Sequence, residues 1–366
     1  MTLRERKLGK KRVASKNLSV TGPMESLAFK KNTVFLAGPC PRDPAVKDWR
    51  GEFVALLDAK AKESNIVIDV LNPTNRHFDD ANYVKQLDWE HEGLAMSSIA
   101  VFWVPRTEQN PAFTTNVEFG EWFQSDKCIC GGPKDGWKNR YLEQRFISIG
   151  NEWLYSLNEM VDAVVTHFTR PPKTWFTSDT HFSEQKKIKS ARRPFRDTYH
   201  MDWAMISNWN MRVNSNDTVY HCGDFGNPEA VKYLNFGKLV LVRGNHDTEE
   251  NCKKLIEFGQ GRVEICDEKD LLINGRPVKL IHEPLYGDRV ASEVIVQEPF
   301  YLFGHIHRAG GIKRNGINIG VDINSYSPLS VPDIDFIRDG VEDHADDDDF
   351  SEICRELRDF AHKKTL

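Results

Sequence analysis

No stretch of this chain is long and apolar enough to cross a membrane; the six residues 99–104 are typical of its longest apolar runs. Cysteine is scarce and unpatterned: seven in 366 residues, an odd number without framework spacing. That excludes a disulfide-stapled secreted scaffold and points to free thiols in a reducing, cytoplasmic setting. Cys128 and Cys130 form a lone CxC with no partner pair, and read as buried thiols rather than a zinc site. A strong excess of one charge is also lacking: 49 Lys and Arg stand against 54 Asp and Glu. A formal net charge of −5 argues against a chain defined by general nucleic-acid binding. The start, residues 1–20, is basic and without the apolar core expected of a secretory signal.

What is present describes a globular protein of two domains: 40% hydrophobic and 28% charged residues over a length too great for one ordinary core. Residues 1–30 carry seven Lys/Arg in the first sixteen positions and read as a basic flexible arm. Residues 31–170 alternate apolar runs with amphipathic segments. Strands are expected at 33–37, 66–71, 99–104 and 127–130, and helices at 49–61, 83–96, 116–124 and 157–168, which implies a parallel sheet covered on both faces. Pro171-Pro172 marks a boundary, because it continues neither a helix nor a central strand. In residues 171–340 the pairs Asn274-Gly275 and Asn315-Gly316 signal hairpins, so antiparallel pairing joins parallel. Residues 341–366 form an acidic tail, with a short amphipathic helix expected through Ile353, Leu357 and Phe360.

Five clusters of polar side chains punctuate the second half: Ser178-Asp179-Thr180-His181, Gly223-Asp224, Gly244-Asn245-His246-Asp247, Ile281-His282-Glu283 and Gly304-His305-Ile306-His307. Each ends or follows a short buried-strand run, so the side chains should gather at the carboxyl ends of neighbouring strands. Asp179, His181, Asp224, Asn245, His282, His305 and His307 offer nitrogen and oxygen donors and no thiolate. That set suits Mn, Fe, Zn or Ni better than a structural zinc site. Seven ligands exceed one tetrahedral ion and fit two ions about 3.5–4 Å apart.

These clusters resemble the D-x-H, G-D, G-N-H-D, H and G-H-x-H motifs of calcineurin-like metallophosphoesterases. Arg193-Pro194-Phe195, Asn208-Trp209-Asn210 and residues 324–328 resemble the small bacterial members. The resemblance spans roughly residues 172–335 and implies a two-sheet α/β sandwich flanked by helices. It also implies a site in which Asp179, His181 and His307 hold one divalent ion, with Mn foremost. Asn245, His282 and His305 would hold a second, and the Asp224 carboxylate would bridge. Such a centre generates a hydroxide that attacks phosphorus in line. His246 would stabilise the transition state or protonate the leaving oxygen, Asp247 would orient His246, and Arg193 is the best candidate for contacting substrate phosphate.

In the first half, the stretch from Val34 to Gly38-Pro39, then Trp49-Arg50, Trp89-Glu90, Phe102-Trp103 and Glu118-Phe119-Gly120 occur in order. The series resembles nucleoside 2-deoxyribosyltransferase-like proteins over about residues 32–168, and implies a Rossmann-like parallel sheet with flanking helices. Cleaving an N-glycosidic bond passes through an oxocarbenium-like state, for which carboxylates are the expected tools. Glu118, opening a helix whose dipole favours the ionised form, would be the nucleophile or a stabiliser of the cation, and Glu90 would position Glu118 or a sugar hydroxyl. Gly38 and Pro39 would let backbone approach the ligand. Two departures stand out: Glu90 occupies a position usually held by Asp, and Ser98 one where Asp is common.

Together these features point to a hydrolase of nucleotide-type phosphoesters, fused to a domain that binds nucleotides and works at the base–sugar bond. Two alternatives differ in class. The first domain is a non-catalytic nucleotide sensor, or the chain is a nuclease or repair factor tethered by its basic arm, with salt-dependent affinity for polynucleotide.

Overall fold

The computed structural model describes residues 12–13, 17–23, 25, 27, 32–41, 48–74, 82–284, 299–313 and 316–343. In chain order the elements of the first half are β1 (Arg12–Val13), β2 (Leu18–Thr21), β3 (Thr33–Ala37), α1 (Trp49–Glu63), β4 (Ile68–Leu71), α2 (Tyr83–Met96), β5 (Ile99–Trp103), α3 (Phe113–Trp122), β6 (Cys128–Gly131), α4 (Arg140–Ile147) and α5 (Leu157–Thr169). The strands form one sheet in the order β1-β2-β4-β3-β5-β6, parallel throughout except for β1. All five residues of β3 and of β5 are buried, as a sheet covered on both faces requires. Alternate side chains leave opposite faces. Val34, Leu36, Val101 and Trp103 pack under α1 and α5, against Phe53, Leu57, Met160 and Val164. Phe35, Ala37, Ala100 and Phe102 belong to a second core with Trp89 of α2 and Phe119 and Trp122 of α3.

The amino-terminal arm needs correction. Leu18–Thr21 pairs in parallel with Ile68–Leu71, and Arg12–Val13 pairs back upon it. Leu18 is buried beside Ile68 and Val70 in the core under α1. The pattern of Leu18-Ser19-Val20-Thr21 is too short to stand out behind a basic run, and its partner lies fifty residues away. Residues 1–11 of the arm, and the whole of the expected tail helix, fall outside the described residues.

The second half comprises β7 (Thr174–Thr177), α6 (Gln185–Ser190), α7 (Thr198–Arg212), β8 (Thr218–His221), β9 (Lys238–Val242), α8 (Glu249–Phe258), β10 (Val263–Cys266), β11 (Lys269–Ile273), β12 (Arg276–Leu280), β13 (Phe300–Phe303), β14 (Ile312–Lys313), β15 (Gly316–Asn318), β16 (Leu329–Ser330) and α9 (Val331–Asp343). Two five-stranded sheets result, ordered β10-β9-β8-β7-β16 and β11-β12-β13-β15-β14. Phe176, Cys222 and Val242 from the first interleave with Val278, Leu280, Leu302 and Ile317 from the second. The opposite face of the first sheet, through Trp175, Val219, Leu239 and Leu241, packs on α7 and α8. Asn274-Gly275 forms the expected two-residue turn between β11 and β12, both residues at positive φ (48° and 80°). The second hairpin joins β14 to β15, although Asn315 itself lies outside the described residues.

The two halves share one core. Trp203, Trp209 and Phe225 lie in the same cluster as Phe35, Trp89 and Phe119. The junction at Pro171-Pro172 is pinned by Arg170, whose guanidinium donates to both Asp217 oxygens at 3.0 and 2.9 Å. Asp217 also accepts from Trp175 Nε1 and the Asn214 amide. Ser98, at a position where Asp is common in the family it resembles, is buried and donates to Asn235 of the other half at 3.3 Å. That position faces the junction rather than a ligand. Among the described residues, no helix is long and apolar enough to cross a membrane.

Candidate metal centre and the amino-terminal carboxylate pair

Every candidate ligand sits just past a strand. Asp179 and His181 follow β7, Asp224 follows β8, Asn245 follows β9, His282 follows β12, and His305 and His307 follow β13. Because β7, β8 and β9 run parallel in one sheet and β12 and β13 parallel in the other, these exits converge at one end of the sandwich. Five of the seven candidate ligands hold left-handed backbone: Asp179 (φ 58°), His181 (47°), Asp224 (59°), His305 (70°) and His307 (48°). Each such residue costs about 1–3 kcal/mol, and strain of this kind collects at functional sites. Gly304 is forced by contact: a Cβ there would lie 2.0 Å from Ser178 Oγ and 2.3 Å from Asp179 Oδ2. Its absence lets the His305 amide donate to both Asp179 oxygens at 3.0 Å.

The centre is a collection of lone pairs with too few protons. His282 Nδ1 lies 2.7 Å from the Cys222 carbonyl, which only accepts, so Nδ1 carries the hydrogen and Nε2 a lone pair. That lone pair faces Asn245 Oδ1 at 2.9 Å, His305 Nδ1 at 3.3 Å and Asp224 Oδ2 at 3.6 Å. His181 is fully buried with Nε2 3.3 Å from Asp224 Oδ2 and Nδ1 3.1 Å from Glu184 Oε1, yet neither nitrogen makes a well-aligned hydrogen bond. Burial opposes ionisation of Asp224, but His181, His282 and the His246 amide outweigh it and hold the carboxyl below its ordinary range. Two groups of ligating atoms, each within 4.8 Å of one another, stand out: Asp179, His181 and His307, and Asp179, Asp224 and His282. Asp179 belongs to both, a sharing the sequence assigned to Asp224 alone. Cations satisfy such an arrangement, and the residues present fit them.

Residues 173–322 match the calcineurin-like phosphoesterase superfamily domain. The carboxyl-terminal half therefore carries that domain. Residues 31–136 match the nucleoside 2-deoxyribosyltransferase-like family, so the chain carries both domains. It is 30% identical over 175 residues to the uncharacterized protein MJ1445 of Methanocaldococcus jannaschii, covering 43% of this chain and 87% of that one. The crystal structure of the protein of unknown function AQ665 from Aquifex aeolicus is 24% identical, with a TM-score of 0.37, and covers 46% of this chain and 100% of its own. Calcineurin-like phosphoesterases use divalent metals, and the clustered side chains are this chain's candidates to hold them.

The surroundings of the phosphoesterase centre correct two expectations. Arg193 is not free to meet substrate. It is buried, with Nε and Nη2 on the two Asp322 oxygens at 2.9 and 3.0 Å, and its remaining donors on the Thr180 and Asp179 carbonyls at 2.8 and 2.6 Å. Asp322 in turn accepts from His307 Nδ1 at 2.7 Å, which leaves His307 Nε2 with a lone pair facing the centre. Asp247 does not orient the His246 ring. Its carboxylate accepts from the amides of Asp224, Phe225 and Gly244 at 2.7, 2.9 and 2.8 Å, latching one ligand loop to another. His246 lies at the centre, its amide 2.9 Å from Asp224 Oδ1 and its ring 5.4 Å from that of His181. Sequence reasoning missed Asp322 and Glu184. Asp322 was legible as the acid closing the alternating apolar positions Ile317, Ile319 and Val321; Glu184 was not, because a charge ahead of a helix is commonplace.

In the transferase-like half, Glu90 of α2 accepts from Gln86 Nε2 at 2.8 Å. Glu118 does not open its helix: α3 begins at Phe113, with Ala112 in left-handed backbone as its cap, so Glu118 is its sixth residue. The helix dipole is therefore no help to its charge. Burial, then the nearby Glu90 charge, raise its pKa to about 8, with Arg50 opposing. The carboxyl is protonated at neutral pH, against the ionised form expected. Gly38 (φ 151°) and Pro39 meet protein rather than open ligand space: a Cβ on Gly38 would lie 2.2 Å from the Trp103 carbonyl, and the Gly38 and Pro39 carbonyls accept from the buried Arg50 at 2.5 and 3.4 Å.

Proposed function

We propose that this chain hydrolyses nucleotide-type phosphoesters at a centre of two divalent cations, and that its amino-terminal half works at the N-glycosidic bond of a related nucleotide. The observation that carries the first part is Asp224 Oδ2, which faces His181 Nε2 on one side and His282 Nε2 on the other. In this reading Asp179, His181 and His307 would hold one cation and Asn245, His282 and His305 the other, with Asp224 shared between the two groups. Cations there, with Mn foremost, supply Lewis acidity that ionises water near neutral pH and offsets phosphoryl charge. Asp322 keeps His307 in the coordinating tautomer, and Asp247 fixes the loop spacing. His246, standing at the centre, donates to the leaving oxygen. In the other half two carboxyl groups stand together: a protonated Glu118 supplies a proton to the departing base, and Glu90 supplies charge near the anomeric carbon. This pairing favours chemistry there over a purely sensory role.

The test is a panel of nucleotides, cyclic nucleotides and ADP-ribose-type compounds offered to the Mn-loaded protein, with phosphate resolved from free base. Asp224→Asn should cut phosphate release by about 100-fold or more and spare base release. Glu118→Gln should do the reverse. Base release lost in the first variant and kept in the second would overturn the assignment of reactions to halves.

A further inference from the structure

The helix α6 starts four residues after His181 and carries three lysines in six residues. Ile188 is its one buried side chain and fixes how the helix rolls onto the fold. That roll leaves Lys186 and Lys189 exposed and brings Lys187, half-buried, over the metal centre. Lys187 Nζ lies 3.3 Å from His307 Nε2, the nitrogen left unprotonated by Asp322. Among the described residues no carboxylate comes within 4.0 Å of this ammonium. Glu184 feels the Lys187 charge without forming a close ion pair with it, and the position the ammonium holds is one that a bound cation on His307 would take over. Its four-carbon stem lets the ammonium swing aside while staying at the rim of the centre.

We propose that Lys187 contacts a non-bridging oxygen of the substrate phosphoryl group and thereby selects phosphate monoesters over diesters. This rests on the two-cation reading above. A diester has two non-bridging oxygens, which the two cations of that reading would satisfy. A monoester has a third, and a second negative charge, which leave a place that only an additional cation fills. Lys187 is the ammonium the fold puts there, and a charge-assisted hydrogen bond to an oxyanion is among the stronger ones.

The full chain, loaded with Mn, distinguishes the possibilities as wild type, Lys187→Met, Lys187→Arg and Asp224→Asn. Metal content is measured by mass spectrometry, orthophosphate affinity by calorimetry, and kcat/KM on p-nitrophenyl phosphate and on bis(p-nitrophenyl) phosphate. Lys187→Met should keep its metal, bind orthophosphate about 10-fold more weakly, and lose about 10- to 100-fold on the monoester but under about threefold on the diester. Lys187→Arg should recover part of the loss. Equal losses on both esters, or unchanged orthophosphate affinity, would overturn the role of Lys187 while Asp224→Asn still shows the centre to be real. If Asp224→Asn retains full metal and activity, the two-cation reading fails and this inference falls with it.

Discussion

At the scale of single residues, the environment decides what a side chain is for. Glu118 shows this through pH. Its folded pKa of about 8 lies above the ordinary 4.5, so between those values the folded chain holds a proton that the unfolded chain has released. Stability then falls as pH rises through that window and reaches its lowest contribution above about pH 8. Glu118→Gln, neutral at every pH, should flatten this fall and melt a few degrees higher at alkaline pH, while matching wild type near pH 4.5. The difference between the two melting curves isolates Glu118, because buried His167 and His221, with pKa values lowered to about 4 and about 3, act equally in both proteins. A parallel pair of curves would show that Glu118 ionises normally.

At the scale of elements, the centre depends on how exit loops are tied together. The loop between α6 and α7 contributes Arg193, which joins the Asp179 and Thr180 carbonyls to Asp322 and so to His307. Removing one partner of a buried ion pair typically costs about 3–5 kcal/mol. Arg193→Met should therefore lower the melting temperature on the order of 10 °C and weaken metal retention. Were Arg193 instead a substrate contact, KM would rise with melting unchanged. Lys127 plays a similar part at the end of α2. It is buried, with Nζ against the carbonyls of Leu94, Ala95 and Ser97, and burial lowers its pKa to about 7. It satisfies carbonyls left over at a helix end whose last turn carries no basic residue.

At the scale of the whole molecule, the two halves are not beads on a string. Trp89 and Phe119 share a core with Trp203, Trp209 and Phe225, and Ser215 donates to Asn32 across the junction at 2.8 Å. Asn210 reaches Ala95 in the same way at 3.3 Å. A buried apolar interface couples the unfolding of what it joins. Calorimetry of the full chain should give one cooperative transition, and added Mn should raise it as a whole by mass action on the folded state. Two separate peaks, of which only one responds to metal, would contradict that coupling.

The sequence by itself picked out the side chains that gather at one end of the sandwich, because metal-binding residue types recur in fixed short spacings directly after apolar strand runs. It also determined β3, α1, α2, β5 and α5 closely, since each has enough contiguous apolar periodicity to be read locally. It missed β2, whose four residues mean nothing until β4 lies beside them. It also set the start of α3 three residues late, because Ala112 caps that helix in left-handed backbone rather than with a recognisable side chain. Only tertiary structure decided that Arg193 is a strut, that Asp247 is a latch and that burial raises the pKa of Glu118. Hydrogen-bond partners and burial come from residues distant in the chain, and a residue's type fixes what it can do without fixing which neighbours will ask it to.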